Sequence, residues 1–275
     1  MRTTRGVNIG AAVALGAVTA LGQAPDPWAE LTLPQPVAAN ALRGQGKLLT
    51  YDEGTTLHVY SSLTRTWHST AKSVAAPMRL FNDCLVVIEP GFCRAFSAYT
   101  GSFADRVVAA TAIVRNAGGH NNDSIVLVAS GSELHAFSAF TGEWTTRTMG
   151  AGFGVSVERH TAMFLDGTTI GGMSAFDGQW REHVAAAPVT AMSADGTAAV
   201  CRDVNTAYGF SAHDPKWKTA PLPLGAAFDR GDDWALWYGG GGTLAFSGLT
   251  GQFASSNASP SAVAGKTDLY ALLGV

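Results

Sequence analysis

The chain has 275 residues and a formal net charge of −3, with 47% hydrophobic and only 14% charged residues. Soluble domains average about 25% charged residues, so this chain is poor in charge. The acidic balance argues against nucleic-acid binding through a basic surface, and the apolar content argues against disorder.

The N-terminal segment matches a secretory signal peptide. Arg2 and Arg5 supply the positive start, residues 11–21 are apolar, and small residues precede the first proline. The apolar run is shorter than the roughly 20 residues of a membrane span. The sequence predicts a cleaved signal peptide over 1–24, a secreted or periplasmic protein over 25–275, and no membrane span after cleavage. An uncleaved anchor or a disordered tail is the alternative.

Three cysteines, Cys84, Cys93 and Cys201, cannot all pair within one chain. Cys84 and Cys93 flank a predicted hairpin turn, which places Cys84 opposite Ser97 and Cys93 opposite Ile88. This register keeps the two sulfurs beyond disulfide reach. We expect three small buried side chains and neither a disulfide nor a metal or redox site.

An eight-residue motif recurs six times at intervals of 36 to 41 residues, and a period this regular predicts a repeat architecture. Its copies are Y-S-S-L-T-R-T-W from Tyr60, F-S-A-Y-T-G-S-F from Phe96, F-S-A-F-T-G-E-W from Phe137, M-S-A-F-D-G-Q-W from Met173, F-S-A-H-D-P-K-W from Phe210 and F-S-G-L-T-G-Q-F from Phe246.

Each repeat contains four strand-like pieces separated by turn residues. In the second repeat these are 74–80, 84–88, 94–99 and 103–109. A four-stranded period of about 40 residues predicts an all-β fold, the β-propeller. Alanine-rich segments such as V-A-A-P at 74–77 are assigned to innermost strands, where blades crowd around the axis.

The blade count follows from the residues outside the six repeats. Residues 261–265 and 268–274 look like inner strands, and 26–33 look like an outermost strand. We therefore predict seven four-stranded blades, the seventh a composite of both chain ends that leaves no open sheet edge. Six blades is the alternative.

The spacing of aromatic, threonine, turn residue and tryptophan in the motif resembles kelch repeats. The A-F-S-A-x-T-G string is also similar to pyrroloquinoline-quinone-type propeller repeats. A glycine doublet typical of kelch repeats occurs only at 239–242. The resemblance implies a propeller scaffold and assigns no activity.

One recurrent position lies seventeen residues before the motif's first residue and carries arginine in several repeats. Guanidinium groups suit recognition of carboxylate or phosphate. The hypothesis is an anion or acidic-saccharide site at one mouth of the channel; solvated turn arginines are the favoured alternative. The candidate residues are Arg43, Arg79, Arg115, Arg159 and Arg230.

Other patterns give weaker signals. Acidic residues recur at the opposite face, at Glu53, Glu89, Asp166 and Asp203, where turn roles are favoured over calcium binding. The one inserted loop, 115–124, contains His120 and Asp123. No histidine pair has metal-ligand spacing, and no nucleophile or phosphate-loop motif occurs.

The sequence thus favours a secreted, monomeric, non-catalytic binding module that recognises carbohydrate or protein, possessing no cofactor, metal or catalytic residue. Two alternatives stay open: a polysaccharide hydrolase or lyase with its site at the channel mouth, and a structural partner in an envelope complex. A catalytic role requires carboxylates near the axis, for which Glu158 and Asp229 are the candidates.

Overall fold

The computed structural model describes Leu33, Val37, residues 41–116 and 123–257, and the strands 262–266 and 271–274. Six sheets of four antiparallel strands follow one another along the chain, and in each the strand order in space equals the order in sequence. We call these sheets blades 1 to 6. Among the described residues, no helix is long and apolar enough to cross a membrane.

The strands of the first three blades have the following bounds. Blade 1 contains β1 (Leu42–Gln45), β2 (Leu48–Asp52), β3 (Thr56–Ser61) and β4 (Thr66–Ala71). Blade 2 contains β5 (Met78–Leu80), β6 (Cys84–Glu89), β7 (Phe92–Ser97) and β8 (Ser102–Val107). Blade 3 contains β9 (Ile113–Val114), β10 (Ile125–Ser130), β11 (Glu133–Ser138) and β12 (Glu143–Thr148).

The remaining strands continue the same pattern. Blade 4 contains β13 (Gly154–Glu158), β14 (Thr161–Asp166), β15 (Thr169–Ser174) and β16 (Trp180–Val184). Blade 5 contains β17 (Ala191–Asp195), β18 (Ala198–Arg202), β19 (Thr206–Ser211) and β20 (Trp217–Pro221). Blade 6 contains β21 (Ala227–Gly231), β22 (Trp234–Gly239), β23 (Gly242–Ser247) and β24 (Gln252–Ser256), followed by the antiparallel pair β25 (Ala262–Lys266) and β26 (Ala271–Gly274).

Burial explains why the middle strands are apolar and the outer ones are not. β6 (C-L-V-V-I-E) and β10 (I-V-L-V-A-S) are buried along almost their whole length because a neighbouring blade covers each side. The outer strand β8 alternates between exposed and half-buried residues. Charge is therefore scarce in the middle strands, which contributes to its scarcity in the composition.

A separate apolar cluster fills each interface between consecutive blades, and the first motif residue lies at its centre. This residue packs against the eighth motif residue on the outer strand of its own blade. The ring centroids of Phe96 and Phe103 are 4.8 Å apart, and those of Phe137 and Trp144 are 5.2 Å apart. The motif thus encodes the contact that joins one blade to the next.

The predicted register of the second repeat is confirmed. Cys84 lies opposite Ser97 and Cys93 lies opposite Ile88. The cysteines Cys84, Cys93 and Cys201 are all free and buried. Burial raises the pKa of the Cys93 thiol to about 12 and that of Cys84 well above its usual value, as expected for inert core thiols.

Turns of blades that are not neighbours meet at one point. The Arg159 guanidinium in blade 4 pairs with the Asp232 carboxylate in blade 6 across blade 5. This convergence requires blades arranged around an axis, with the first strand of each blade innermost. The all-β propeller prediction is confirmed.

Within the part of the chain that the structure describes there are six complete blades, which agrees with the six-blade alternative. The C-terminal strand pair occurs where the seven-blade prediction placed it, as β25 and β26. The predicted outermost strand at 26–33 falls almost wholly outside the described residues, and so does the predicted signal peptide over 1–24. The composite seventh blade therefore stays a prediction.

One local prediction was wrong. Two of the alanine-rich segments lead into innermost strands and do not form them: β5 begins at Met78, after V-A-A-P, and β17 begins at Ala191, after A-A-A-P at 185–188. Proline lacks a backbone donor and disfavours the middle of a sheet, so each strand begins only after it.

Candidate binding face

Two sets of turns share one end of the propeller because each blade is a simple meander. These turns join the first strand to the second and the third strand to the fourth. We label the four strands of each blade A to D in chain order and call this end the AB–CD face. The other connections lie at the opposite face.

Buried serines of the motif hold this face together. Each hydroxyl donates a hydrogen bond to a backbone carbonyl of the next blade. It also accepts hydrogen bonds from N–H groups of its own turn, with N–O distances of 3.0–3.3 Å. Each of these serines thus ties its own turn to the neighbouring blade. The donor and acceptor residues are Ser61 to Ala98, Ser97 to Ala139, Ser138 to Ala175, Ser174 to Ala212 and Ser211 to Gly248.

A second set of contacts, closer to the axis, links the turns between first and second strands. Lys47 pairs with Asp83, which accepts a hydrogen bond from Ser124. The Ser124 hydroxyl lies 3.1 Å from Nδ1 of His160. In blades 5 and 6, Thr197 donates to an Asp233 carboxylate oxygen at 2.6 Å. These residues form a polar belt around the channel mouth at one equivalent position of each blade.

The structure separates the five predicted arginines into two groups. Arg43 lies opposite Thr50 and Arg79 opposite Val86, at the same position of consecutive first strands. Arg115 holds that position in blade 3, where its N–H donates to the Leu127 carbonyl at 2.8 Å. All three side chains are exposed. We call them the arginine row.

Arg159 and Arg230 occupy different positions, and both form ion pairs. Arg159 lies in the turn between β13 and β14 and pairs with Asp232. Arg230 Nε lies 2.9 Å from an Asp195 carboxylate oxygen. Arg159 has a φ of 49°, which is a left-handed conformation. At the equivalent position of blades 1 and 5 this conformation is adopted by glycine, at Gly46 and Gly196. The backbone thus bears strain to place a charged side chain at the mouth.

Three carboxylates meet between these arginines. Glu158, Asp195 and Asp232 come from blades 4, 5 and 6, and one ligand atom of each lies within 4.8 Å of the others. Burial, the hydrogen bond with Asp195 and the neighbouring carboxylates raise the pKa of Glu158 to about 7. Glu158 therefore keeps its proton at pH values below about 7. We call these three residues the carboxylate cluster; sequence reasoning had singled out Glu158 alone.

The spacing of this cluster differs from that of glycosidase carboxylates. A glycosidase separates its two carboxyl groups by roughly 5 to 9.5 Å, so that a sugar and a water fit between them. Glu158 and Asp195 are hydrogen-bonded directly to each other. This geometry does not favour the polysaccharide hydrolase alternative.

Aromatic rings follow one another across the AB–CD face at the fourth motif position. The ring centroids of Tyr99 and Phe140 are 4.1 Å apart and stacked, and those of Phe140 and Phe176 are 4.8 Å apart at 67°. His213 stacks on Phe176 at 5.1 Å. We call Tyr99, Phe140, Phe176 and His213 the aromatic arc. It spans blades 2 to 5.

The aromatic arc is partly open to solvent. Phe176 is 37% exposed, and the leucines at the same position of blades 1 and 6, Leu63 and Leu249, are 45% and 49% exposed. His160 from the polar belt packs against Phe140 and Phe176, with centroids 5.7 and 5.2 Å away. Burial lowers the pKa of His160, so this ring is mostly neutral at pH 7. Sequence reasoning missed the arc, although the fourth letters of the six motif copies, L, Y, F, F, H and L, contain it.

The remaining candidates serve the fold. Asp203 at the opposite face accepts N–H groups of Asn205 and Thr206 at 2.8 and 2.7 Å, and Glu89 accepts the Ser73 N–H. Such bonds fit the turn role predicted for this acidic position. In the inserted loop, buried Asp123 accepts a hydrogen bond from Asn116. His120 lies outside the described residues.

The solved structures that this chain resembles are similar to it only at a low level. BamB from Moraxella catarrhalis is 12% identical, with 72% of this chain and 68% of that chain covered and a TM-score of 0.29. Hsv2 from Kluyveromyces lactis is 9% identical over 73% of this chain and 70% of that one, with a TM-score of 0.32. The tricorn protease is 10% identical over 83% of this chain and 27% of that one, also at 0.32.

No protein-family model matches the chain, and no curated protein matches it. The structural similarities are too low to carry an argument about function. The function has to be argued from the AB–CD face itself.

Proposed function

We propose that this propeller is a non-catalytic scaffold that binds a protein segment on its AB–CD face. The observation that carries the proposal is the aromatic arc. Its rings form a continuous strip over four blades, in which Phe176 and His213 are exposed while half-buried Tyr99 and Phe140 also pack against the clusters between blades. Exposed aromatic strips rimmed by polar groups are typical of protein interaction sites.

The geometry of the rings favours protein over carbohydrate. Tyr99 covers one face of Phe140, and His213 covers one face of Phe176. Sugar rings pack on open aromatic faces, whereas apolar side chains of a protein pack well against ring edges. The strained backbone at Arg159, beside the arc, is of the kind retained where a side chain has a task beyond stability.

We further propose, from the sequence, that the protein is secreted or periplasmic, that it is a monomer, and that its repeats are kelch-like. The alternative of a structural partner in an envelope complex is compatible with a protein-binding face. We retain the proposed anion site at the channel mouth for the arginine row only, because Arg159 and Arg230 already pair with carboxylates.

Selection of random 12-residue peptides displayed on phage tests the proposal. We expect the wild-type protein to enrich peptides, and the double substitution Phe140→Ser with Phe176→Ser to abolish that enrichment. The matched control is Val204→Ser, which removes a 71% exposed apolar side chain from a turn at the opposite face.

Two results would overturn the proposal. One is peptide enrichment that survives the double substitution. The other is a glycan array on which the wild-type protein binds sugars through the aromatic arc while no peptide is enriched, because the ligand would then be a carbohydrate.

A further inference from the structure

Charges around the channel mouth are divided by sign between the two halves of the AB–CD face. The position held by the arginine row in blades 1 to 3 carries no cation in blades 4 to 6. Its occupants, in blade order, are Arg43, Arg79, Arg115, Ser156, Ser193 and Asp229.

The same division appears when the first strands and the turns that follow them are counted together. The described part of blades 1 to 3 has four cationic side chains and two carboxylates there, namely Lys47 and the arginine row, and Asp83 and Asp123. In blades 4 to 6, two arginines face five carboxylates, namely Arg159 and Arg230 against Glu158, Asp195, Asp229, Asp232 and Asp233.

The arginines of the two halves differ in their partners. Arg43, Arg79 and Arg115 are exposed, and within the described residues none of them pairs with a carboxylate. One guanidinium nitrogen of Arg79 lies 3.3 Å from the Asn116 carbonyl oxygen, and half-buried Lys47 pairs with Asp83. In the second half, both arginines are held by carboxylates, and the excess negative charge remains. The mouth therefore has a positive and a negative side.

The aromatic arc crosses this division, because Tyr99 and Phe140 belong to blades 2 and 3 while Phe176 and His213 belong to blades 4 and 5. Lys47 lies 5.4 Å from the centre of the Tyr99 ring, and His160, adjacent in sequence to Arg159, contacts Phe140 and Phe176. Arg159 in turn pairs with Asp232 of the carboxylate cluster, so the arc lies beside charged groups of both halves of the mouth.

Resting on the function proposed above, we propose that the bound protein segment carries charges of both signs around an apolar centre. Its apolar side chains lie on the aromatic arc, an acidic group lies over blades 1 to 3, and a basic group lies over blades 4 to 6. Complementary charge fixes the direction of the segment and rejects segments of a single sign, since like charges placed together oppose binding.

The same 12-residue phage library tests this inference through the composition of the enriched peptides. Wild type is expected to enrich peptides in which acidic and basic residues are both more frequent per position than in the unselected library. Arg43→Ala with Arg79→Ala is expected to abolish the acidic preference alone, and Glu158→Gln with Asp195→Asn the basic preference alone. Arg147→Ala, on an outer strand, is the control and leaves both preferences unchanged.

Charge reversal provides a second route. Arg79→Glu is expected to change the acidic preference into a basic one, and 1 M NaCl is expected to reduce both preferences because these charges are solvent-accessible. Circular dichroism confirms that each variant is folded. The inference is overturned if peptides bind through the aromatic arc with the charge composition of the unselected library. Absence of arc-dependent peptides is a different result and contradicts the proposed function itself.

Discussion

Single residues of the motif have separate tasks at the AB–CD face. The first and eighth residues fill the interface between blades, and the serine at the second position ties one blade to the next through a buried hydrogen bond. The fourth residue contacts solvent. Because the serine donates to one blade and accepts N–H groups from its own turn, it serves both blades at once.

Removing one such serine is expected to destabilise the whole propeller. Ser138→Ala leaves the buried Ala175 carbonyl without its donor, which costs about 1–3 kcal/mol. Urea unfolding followed by tryptophan fluorescence measures this loss. Ser132→Ala, at an exposed turn position, is the control and is expected to change the free energy of unfolding by less than about 0.5 kcal/mol. Equal effects of the two substitutions would contradict the role assigned to Ser138.

The carboxylate cluster predicts a pH dependence of stability. The pKa of Glu158 is raised to about 7 in the folded protein, so the native state retains a proton that the unfolded chain loses above its ordinary pKa of 4.5. The unfolded state then binds fewer protons, and stability falls as the pH rises from about 4.5 to 7.

Glu158→Gln is expected to remove this loss. Relative to wild type, the variant gains about 1–2 kcal/mol between pH 4.5 and pH 7.5, a figure reduced for solvent screening of a half-buried group. Unfolding curves in urea across this pH range provide the measurement, with Glu143→Gln as the exposed control. A difference between variant and wild type that does not change with pH would refute the assignment.

At the scale of strands, glycine in the third strands of blades 4 and 5 makes room for the next blade. Gly172 faces the Phe210 ring and Gly209 faces the Phe246 ring, and a Cβ added at either would lie 2.6 or 2.4 Å from a ring carbon. In these two blades the residue before the motif is glycine because an aromatic ring of the following blade lies directly on the strand.

Gly209→Ala is accordingly expected to cost about 1–3 kcal/mol through overpacking. The matched substitution Gly240→Ala, at a glycine with open space around its Cβ position, is expected to be close to neutral. Thermal unfolding of both variants tests the difference. A Tm for Gly209→Ala within one degree of wild type would show that the Phe246 ring can move aside.

At the scale of the whole molecule, the repeat period made the fold predictable. Spacing alone located the strands of the second repeat, the opposition of Cys84 and Ser97, and the common position of Arg43, Arg79 and Arg115. Periodicity determines which residues are equivalent, and equivalent residues take equivalent places in a propeller.

The candidate site was less predictable because it depends on how blades converge. Glu158 and Asp232 are 74 residues apart in the sequence and stand at non-equivalent repeat positions. Only the curvature around the axis brings their carboxylates together. The pairing of Arg159 with Asp232 has the same origin, so the alignment of repeats grouped Arg159 with the arginine row and missed its partner.

The composite seventh blade leads to a further prediction. If residues 26–33 form the outer strand beside β25 and β26, Trp28 stands where Trp144 stands in blade 3. Trp28→Ala is then expected to lower the Tm of the 25–275 chain by about 4–8 °C, corresponding to roughly 2 kcal/mol. Trp144→Ala is the comparison. An unchanged Tm for Trp28→Ala would favour six blades.

The position of the aromatic arc within the repeat has a consequence for how this protein can diversify. The fourth motif residue already varies among the six blades, as leucine, tyrosine, two phenylalanines, histidine and leucine. It is exposed in four of them, at Leu63, Phe176, His213 and Leu249, whereas Tyr99 and Phe140 also pack against the clusters between blades. A library randomised at the four exposed positions should therefore contain more folded proteins than one randomised at Tyr99 and Phe140, and under the proposed function it would change recognition one blade at a time.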